Sequence, residues 1–369
     1  MGDLSGFGDI YGATKLKCSN IFDPAAEHIW AGGATVIIDY EFNTMGQLPS
    51  AGVIEAAIIA EERGIGGAWA GDSNVRDPTI LLTGIAARTT KFTVGTSVLS
   101  IFARSPVATG CLAATLDDMS NGRFILGLGI SNKLLASWYG SEWDAPIGRM
   151  KEYIEIVRKV FRKEKLEYHG KRYYSTGNFK LAFEPPNRDL RIYMAALGPQ
   201  MSKLAGSISE GVLINQADPE QVGVIGDLAK QGACEAGKDP FLLDVVFQLR
   251  CAVNKDIQLA RTFLKKVLAY YGLADHYKDM YARMGFGREA EALREAYLNK
   301  GFSEAVKSIP DAMLDRLPAV AATSFKEAKE KIELRLKDYE KYGATRVHLA
   351  LVPTTEFAVQ ETKDFFLSW

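Results

Sequence analysis

The stretch from Lys91 to Asn132, KFTVGTSVLSIFARSPVATGCLAATLDDMSNGRFILGLGISN, restricts the fold more than any other part of the chain. It reads as strand, turn, helix, strand. Lys91–Leu99 is short, apolar and rich in β-branched residues, as strands are. Arg104–Met119 carries Val107, Cys111, Leu112, Thr115, Leu116 and Met119 at near-helical spacing. Ser105-Pro106 is its start signal, since proline at the first helical position gives up only an N–H that has no helical partner there. Ser120-Asn121-Gly122 stops the helix, and Phe124–Leu128 is a second apolar run closed by Gly129. Two strands joined by a helical crossover form a βαβ unit and should lie parallel and adjacent. Ligands of parallel sheets sit at the carboxyl ends of strands. The unit therefore predicts Ser97–Ile101 and Gly129–Lys133 as facing walls of one site.

The same alternation continues on both sides. Strands are expected at Ala34–Asp39, Gly66–Ala70, Asp189–Ala196, Gly211–Asn215, Phe241–Val253 and Thr345–Val352, with helical patterns between them. Leu166–Ser175 alternates around His169-Gly170 and reads as a β-hairpin outside the main sheet. Residues 272–318 break the rhythm: they are charged, helical in pattern and show no clear strand. Eight strands alternating with helices predict an α/β fold, a (β/α)8 TIM barrel over 34–369, with a helical insertion (272–318) between the seventh and eighth strands. No GxGxxG follows the first strand, which argues against a doubly wound open sheet. Residues 1–33 have no clear period and are expected to be an N-terminal extension.

A net charge of −1 offers no basic field for nucleic acid or anionic membrane. No apolar stretch is long enough to span a bilayer, and the N-terminus lacks the apolar core of a signal peptide. A cytoplasmic protein acting on a small-molecule substrate is the expectation. The cysteines, at 18, 111, 234 and 251, form no CxxC pair, so neither a zinc site nor a disulfide framework is signalled. The four histidines show no HExxH spacing, and no metal is expected.

The segment VGTSVLSIFARSPVATGCLAATLDDMSNGRFILGLGISN resembles the bacterial luciferase-like superfamily. Within it, it is most similar to the branch dependent on coenzyme F420, a deazaflavin, which includes methylenetetrahydromethanopterin reductases and F420-dependent glucose-6-phosphate dehydrogenases. The resemblance continues through RMKEYIEIVRKVF at 149–161, LEYHGKRYY at 166–174 and RIYMAALGPQMSKLAG at 191–206. It implies an oxidoreductase, commonly a homodimer, that holds F420 (alternatively FMN) at the C-terminal mouth of the barrel. It also implies a bulge with a non-proline cis peptide at Ser97-Val98, with Ser100 beside it, behind the ring. Ile130, Ser131 and Asn132 would then face the ring edge or its polyol, and Leu197, Gly198, Pro199, Gln200 and Met201 the phosphate of the tail.

The residues themselves agree in part. Val98 is apolar and β-branched, suited to one face of a planar ring or simply to a buried strand end. Gly198-Pro199 at a helix start leaves backbone N–H groups free, and a helix N-terminus favours an anion. Without the resemblance this is equally an ordinary barrel turn. Asp72 is a candidate for the catalytic and cofactor-binding carboxylate, or a turn carboxylate. The resemblance sets Asp72-Ser73 where many relatives carry Asp-His, and Asn132 where the sugar-phosphate dehydrogenases carry Glu. Both departures argue against the sugar-phosphate reaction. Asp39, Glu41, Asn215, Gln216, Arg250 and His348 are further mouth candidates, with Trp138, Tyr139 and Trp143 as a roof or as plain packing. Hydride transfer with F420, an FMN-dependent monooxygenase and a non-catalytic flavin-binding barrel are the competing expectations.

Overall fold

The computed structural model describes residues 36–42, 49–72, 76–177 and 179–369. The predicted extension 1–33, Ala34 and Thr35 of the first predicted strand, and Ser73 lie outside them. Eight parallel strands close on themselves: β1 (Ile37–Glu41), β2 (Gly67–Ala70), β3 (Thr93–Thr96, resuming as Leu99–Ser100), β4 (Phe124–Gly129), β5 (Ile192–Ala195), β6 (Gly211–Ile214), β7 (Asp244–Val253) and β8 (Arg346–Leu351). Each pairs with its sequence neighbour, and β8 closes the ring on β1 with Asp39 opposite His348. This is the predicted (β/α)8 barrel.

Helix starts follow side-chain chemistry. The Ser105 hydroxyl accepts from Ala108 N–H at 3.2 Å and opens the helix Pro106–Met119 where the Ser-Pro signal put it. Asp77, Asp218 and Asp256 cap the helices after β2, β6 and β7 in the same way. The main core lies between the sheet and its ring of helices. A second, smaller cluster fills the barrel: Trp69, Ile125, Tyr193, Leu213 and Val246, topped by Val98 and Ala195. The ring of Trp69 stacks on Tyr193 at 5.7 Å and meets the His348 ring at a tilt, 4.2 Å away. The barrel is thus a packed column whose upper surface is the floor of the mouth.

Between residues 272 and 318 the chain forms four helices: Asp275–Arg283, Gly287–Lys300, Phe302–Lys307 and Asp311–Arg316. An unpredicted strand follows them. Ala319–Ala322 runs parallel to Arg250–Val253 of β7, on the edge that β6 leaves free above Phe247. Four small residues carry too little alternation to announce a strand. Cys234 takes part in a disulfide, which the cysteine spacing did not signal. Among the described residues no helix is long and apolar enough to cross a membrane.

Candidate active site

Strand β3 carries one residue more than its partner. Val94 faces Phe124 and Gly95 faces Ile125, but after the break Leu99 faces Leu128 and Ser100 faces Gly129. The surplus residue makes a bulge, which bends a strand and turns a side chain to a new direction. The Ser97–Val98 peptide within it is cis, as the resemblance implied. Side chains and neighbours replace the lost ladder bonds. The Thr96 hydroxyl donates to Gly127 O at 2.8 Å and receives Gly127 N–H at 2.7 Å. Ser97 N–H reaches Ala70 O at 2.8 Å, and Asp72 N–H reaches Val98 O at 2.9 Å. Two glycines admit the bulge: a methyl at Gly71 would strike the Ser97 carbonyl, and one at Gly129 the Val98 side chain. Val98 is left half-buried on top of the inner cluster, an apolar floor at the carboxyl ends of the strands.

Asp72 serves this bulge. One carboxyl oxygen accepts Ser100 N–H at 2.8 Å, and Arg104 contacts both at 3.1 and 3.2 Å. Burial pushes its carboxyl up, against the downward pull of the Ser100 N–H and the Arg104 guanidinium. Ser100 itself is fully buried and its hydroxyl accepts Phe102 N–H at 3.2 Å, so it supports the floor and does not face the mouth. Across β4, Ser131 turns the chain with φ +50°. The Asn132 oxygen accepts Leu135 N–H at 3.0 Å and caps the short helix Lys133–Trp138. That cap engages one lone pair of the Asn132 oxygen and leaves the amide NH2 out of it. The Ile130 carbonyl accepts the Trp143 indole N–H at 2.9 Å. Of the predicted roof, Trp143 is therefore tied to the wall, while Trp138 and Tyr139 are exposed.

Gly198 starts the helix Pro199–Ile208 on the same face of the barrel, because β5 runs parallel to β3. Among the described residues no side chain caps this helix, and nothing lies within 4 Å of where a Gly198 methyl would sit. The first N–H groups, at Gln200 and Met201, point outward from a helix N-terminus, as an anion requires. Leu197 O accepts Arg283 of the insertion at 2.8 Å. The insertion thus lies over the ends of β5 and β6, and it also receives Asp218 N–H on Met284 Sδ at 3.3 Å.

The opposite wall is a polar chain. Glu41, at the end of β1, accepts the Gln248 amide of β7. Arg250 donates to Gln248 Oε1 at 2.9 Å, to Asn215 Oδ1 at 2.8 Å and to Tyr271 Oη at 3.1 Å, with its guanidinium 5.0 Å over the Tyr271 ring. The Asn215 amide donates to Tyr277 Oη at 2.7 Å. Burial pushes the Glu41 carboxyl up to about 7, opposed by Arg250 and by the Gln248 N–H. A carboxyl poised there exchanges a proton near neutral pH. Gln248, Tyr271 and Tyr277 were not singled out from the sequence. Gln248 had a signal, standing two residues before Arg250 and so on the same strand face. Asp39 and His348 lie deeper, fully buried below the floor, and Gln216 is buried behind β6.

A family model described as luciferase-like monooxygenase matches residues 36–346. A 5,10-methylenetetrahydromethanopterin reductase of Archaeoglobus fulgidus is 30% identical over 295 residues, covering 78% of this chain and 86% of the relative. The solved structure of the coenzyme F420-dependent tetrahydromethanopterin reductase of Methanopyrus kandleri superposes with a TM-score of 0.75 at 24% identity, over 91% of this chain and 98% of that one. An F420-dependent secondary alcohol dehydrogenase in complex with an F420–acetone adduct gives 0.68 at 18% identity, over 90% and 99%. These structures share the fold. With its bulged third strand, its open mouth and a family match along most of its length, the chain belongs to the luciferase-like monooxygenase family of (β/α)8 oxidoreductases.

Proposed function

We propose that this chain is a coenzyme F420-dependent reductase that delivers hydride to a methylene carbon held between amine nitrogens of a reduced pterin, as in methylenetetrahydromethanopterin. The observation that carries this reading is one mouth with an apolar floor at Val98 on one side and an acid at Glu41 on the other. The similarity to a methylenetetrahydromethanopterin reductase over most of both chains supports the substrate class.

The residues fit the cofactor. Val98 would support the back of the ring. The uncapped helix start at Gly198, Gln200 and Met201, with open space before it, would hold the phosphate. Ser131 and the Ile130 backbone would border the ring, with Asp72 and Ser100 bracing the floor from below. When bound, F420 supplies a two-electron hydride from one carbon of the deazaflavin. Everything else falls to the protein. A methylene between two amines becomes a good hydride acceptor once one nitrogen is protonated and leaves it as an iminium. Glu41 is the group placed and tuned to give that proton, because its carboxyl, pushed up to about 7, is still about half protonated at neutral pH. The resulting carboxylate is met by the Gln248 N–H and by the charge of Arg250. We assign the proton to Glu41 in preference to Asp72, whose oxygens are already engaged by Ser100 and Arg104.

Titration of the purified protein with F420 and with FMN, followed by fluorescence, tests the reading. Binding of F420 without a response to FMN, and oxidation of reduced F420 on adding the methylene-pterin, are the expected results. FMN preference with oxygen uptake overturns it in favour of a monooxygenase, and F420 binding without turnover on any methylene-pterin removes the substrate assignment. Gly198→Asp sets a carboxylate against the phosphate and should weaken F420 binding at least tenfold, about 1.4 kcal/mol; unchanged affinity would refute the placement of the tail.

A further inference from the structure

His348 is a fully buried imidazole inside the barrel, directly beneath the bulge. Its Nδ1 lies 3.3 Å from the Ser97 hydroxyl, on the bulge itself. Its Nε2 has no hydrogen-bond partner among the described residues and sits 3.9 Å from an oxygen of Asp39, which is held by Arg346 at 2.5 Å and by the Trp69 indole at 2.7 Å. Burial and the Arg346 charge keep the ring neutral. A neutral imidazole carries one proton, and next to a carboxylate that proton belongs on Nε2, because a bare lone pair there would be repelled. Nδ1 is then an acceptor, and the Ser97 O–H donates to it. The Ser97 oxygen keeps its lone pairs for the Gln248 amide, whose Nε2 lies 3.4 Å away. The same amide nitrogen donates to Glu41. Four side chains from β8, β3, β7 and β1 thus form one directed chain, His348, Ser97, Gln248, Glu41.

We propose that His348 is a positioning residue for the proton donor: by accepting the Ser97 hydroxyl proton it fixes the direction of the Gln248 amide, and through that amide the oxygen of Glu41 that stays free to carry a proton into the mouth. The proposal rests on the assignment of Glu41 above. Its direction is definite. Without an acceptor at residue 348, the Ser97 O–H turns toward Gln248, the amide loses its anchor, and the Glu41 carboxylate loses part of its hydrogen bond. The charged form is then less stabilised, so the Glu41 titration moves up. The charged groups acting on this chain are Arg250 at Glu41, and Asp39 and Arg346 at His348; the variants below alter none of them.

The test reads the protein without cofactor. The Glu41 carboxyl is followed as the infrared C=O band that disappears in Glu41→Gln, titrated from pH 5 to 9. His348→Leu should raise its midpoint by at least half a unit. His348→Asn, whose side-chain oxygen can occupy the place of Nδ1, should stay near the parent value. Ser97→Ala should match His348→Leu, and the double variant should go no further. A midpoint unmoved in His348→Leu overturns the proposal, as does His348→Asn shifting as far as His348→Leu, since volume and not the acceptor would then be at work. Should His348→Leu fail to fold, as judged by its melting curve, Ser97→Ala decides alone. F420 titration of the parent protein separates the two levels: failure to bind F420 counts against the cofactor reading, while the Glu41 band still judges His348.

Discussion

Asp39 and Glu41 stand two residues apart on β1, on the same face of one strand, and the barrel treats them in opposite ways. Asp39 lies in the closed lower half, fully buried, against a full charge on Arg346 and the Trp69 N–H. Glu41 lies one layer higher, where the inner cluster ends, and its hydrogen-bond donor is a neutral amide, with Arg250 acting from further off. Burial raises both carboxyls; at Asp39 a buried guanidinium and the Trp69 N–H oppose it directly, whereas at Glu41 a neutral amide and the more distant Arg250 do. The difference lies in what the facing strands present at each level. β8 offers Arg346 below, and β7 offers Gln248 above.

The comparison breaks most sharply at Asp39. Asp39→Asn keeps the shape but strands the Arg346 charge in the barrel, and should destabilise the protein by about 3–5 kcal/mol. Chemical denaturation at fixed pH measures this; a loss below about 1 kcal/mol would mean that Arg346 finds another partner and that the lower half is not a closed ion pair. Glu41→Gln should act in the opposite sense. In the unfolded chain Glu41 ionises near 4.5, in the fold near 7. Between those values the native state binds the extra proton, so the stability of the parent falls as pH rises from about 4.5 to 7. The variant has no such fall and should be more stable than the parent at pH 8, by about 3 kcal/mol. Its rate of hydride transfer should drop by about a hundredfold or more, with little change in F420 affinity. Stability gained where activity is lost is a signature that Asp39 cannot show.

How much of this the chain announces depends on distance along it. The barrel was legible because every unit is local: a β-branched run, a Ser-Pro or Asp-Pro start, an apolar helix face. The mouth was legible as a place, since parallel strands put Ser97, Gly129 and Gly198 at one end. The roles within it were not. Asp39 and Glu41 look alike in sequence because their partners, Arg346 and Gln248, lie about 300 and 200 residues away. Asn132 did carry a readable signal, standing just before an apolar helical turn as N-caps do, and the resemblance drew attention to the ring edge instead. Tyr271, at the end of the helix after β7, and Tyr277, at the start of the insertion, close the Arg250 wall from segments whose helical periodicity alone does not say which face turns to the barrel.

A third carboxylate sharpens the contrast by being the least consequential. Asp72 is buried beside Arg104 like a structural ion, yet it stands at the rim, where Arg104 is one-fifth exposed and also serves Asp77 at 2.7 Å. Burial raises its carboxyl, and the Ser100 N–H and the Arg104 guanidinium oppose that rise without cancelling it. Asp72→Asn retains an oxygen for the Ser100 N–H and gives up only the charge, so a loss of about 1 kcal/mol is expected. If Asp72 braces the bulge and Glu41 moves the proton, the pH dependence of hydride transfer in Asp72→Asn keeps the Glu41 limb near 7, and the rate changes by less than a factor of about ten. Loss of that limb in the Asp72 variant, with Glu41 intact, would transfer the acid role to the β2 side of the mouth and reverse the reading of both walls. The two variants therefore have to be measured together, because a bulge that merely sags lowers F420 affinity without touching the pH profile, whereas removal of the acid does the opposite.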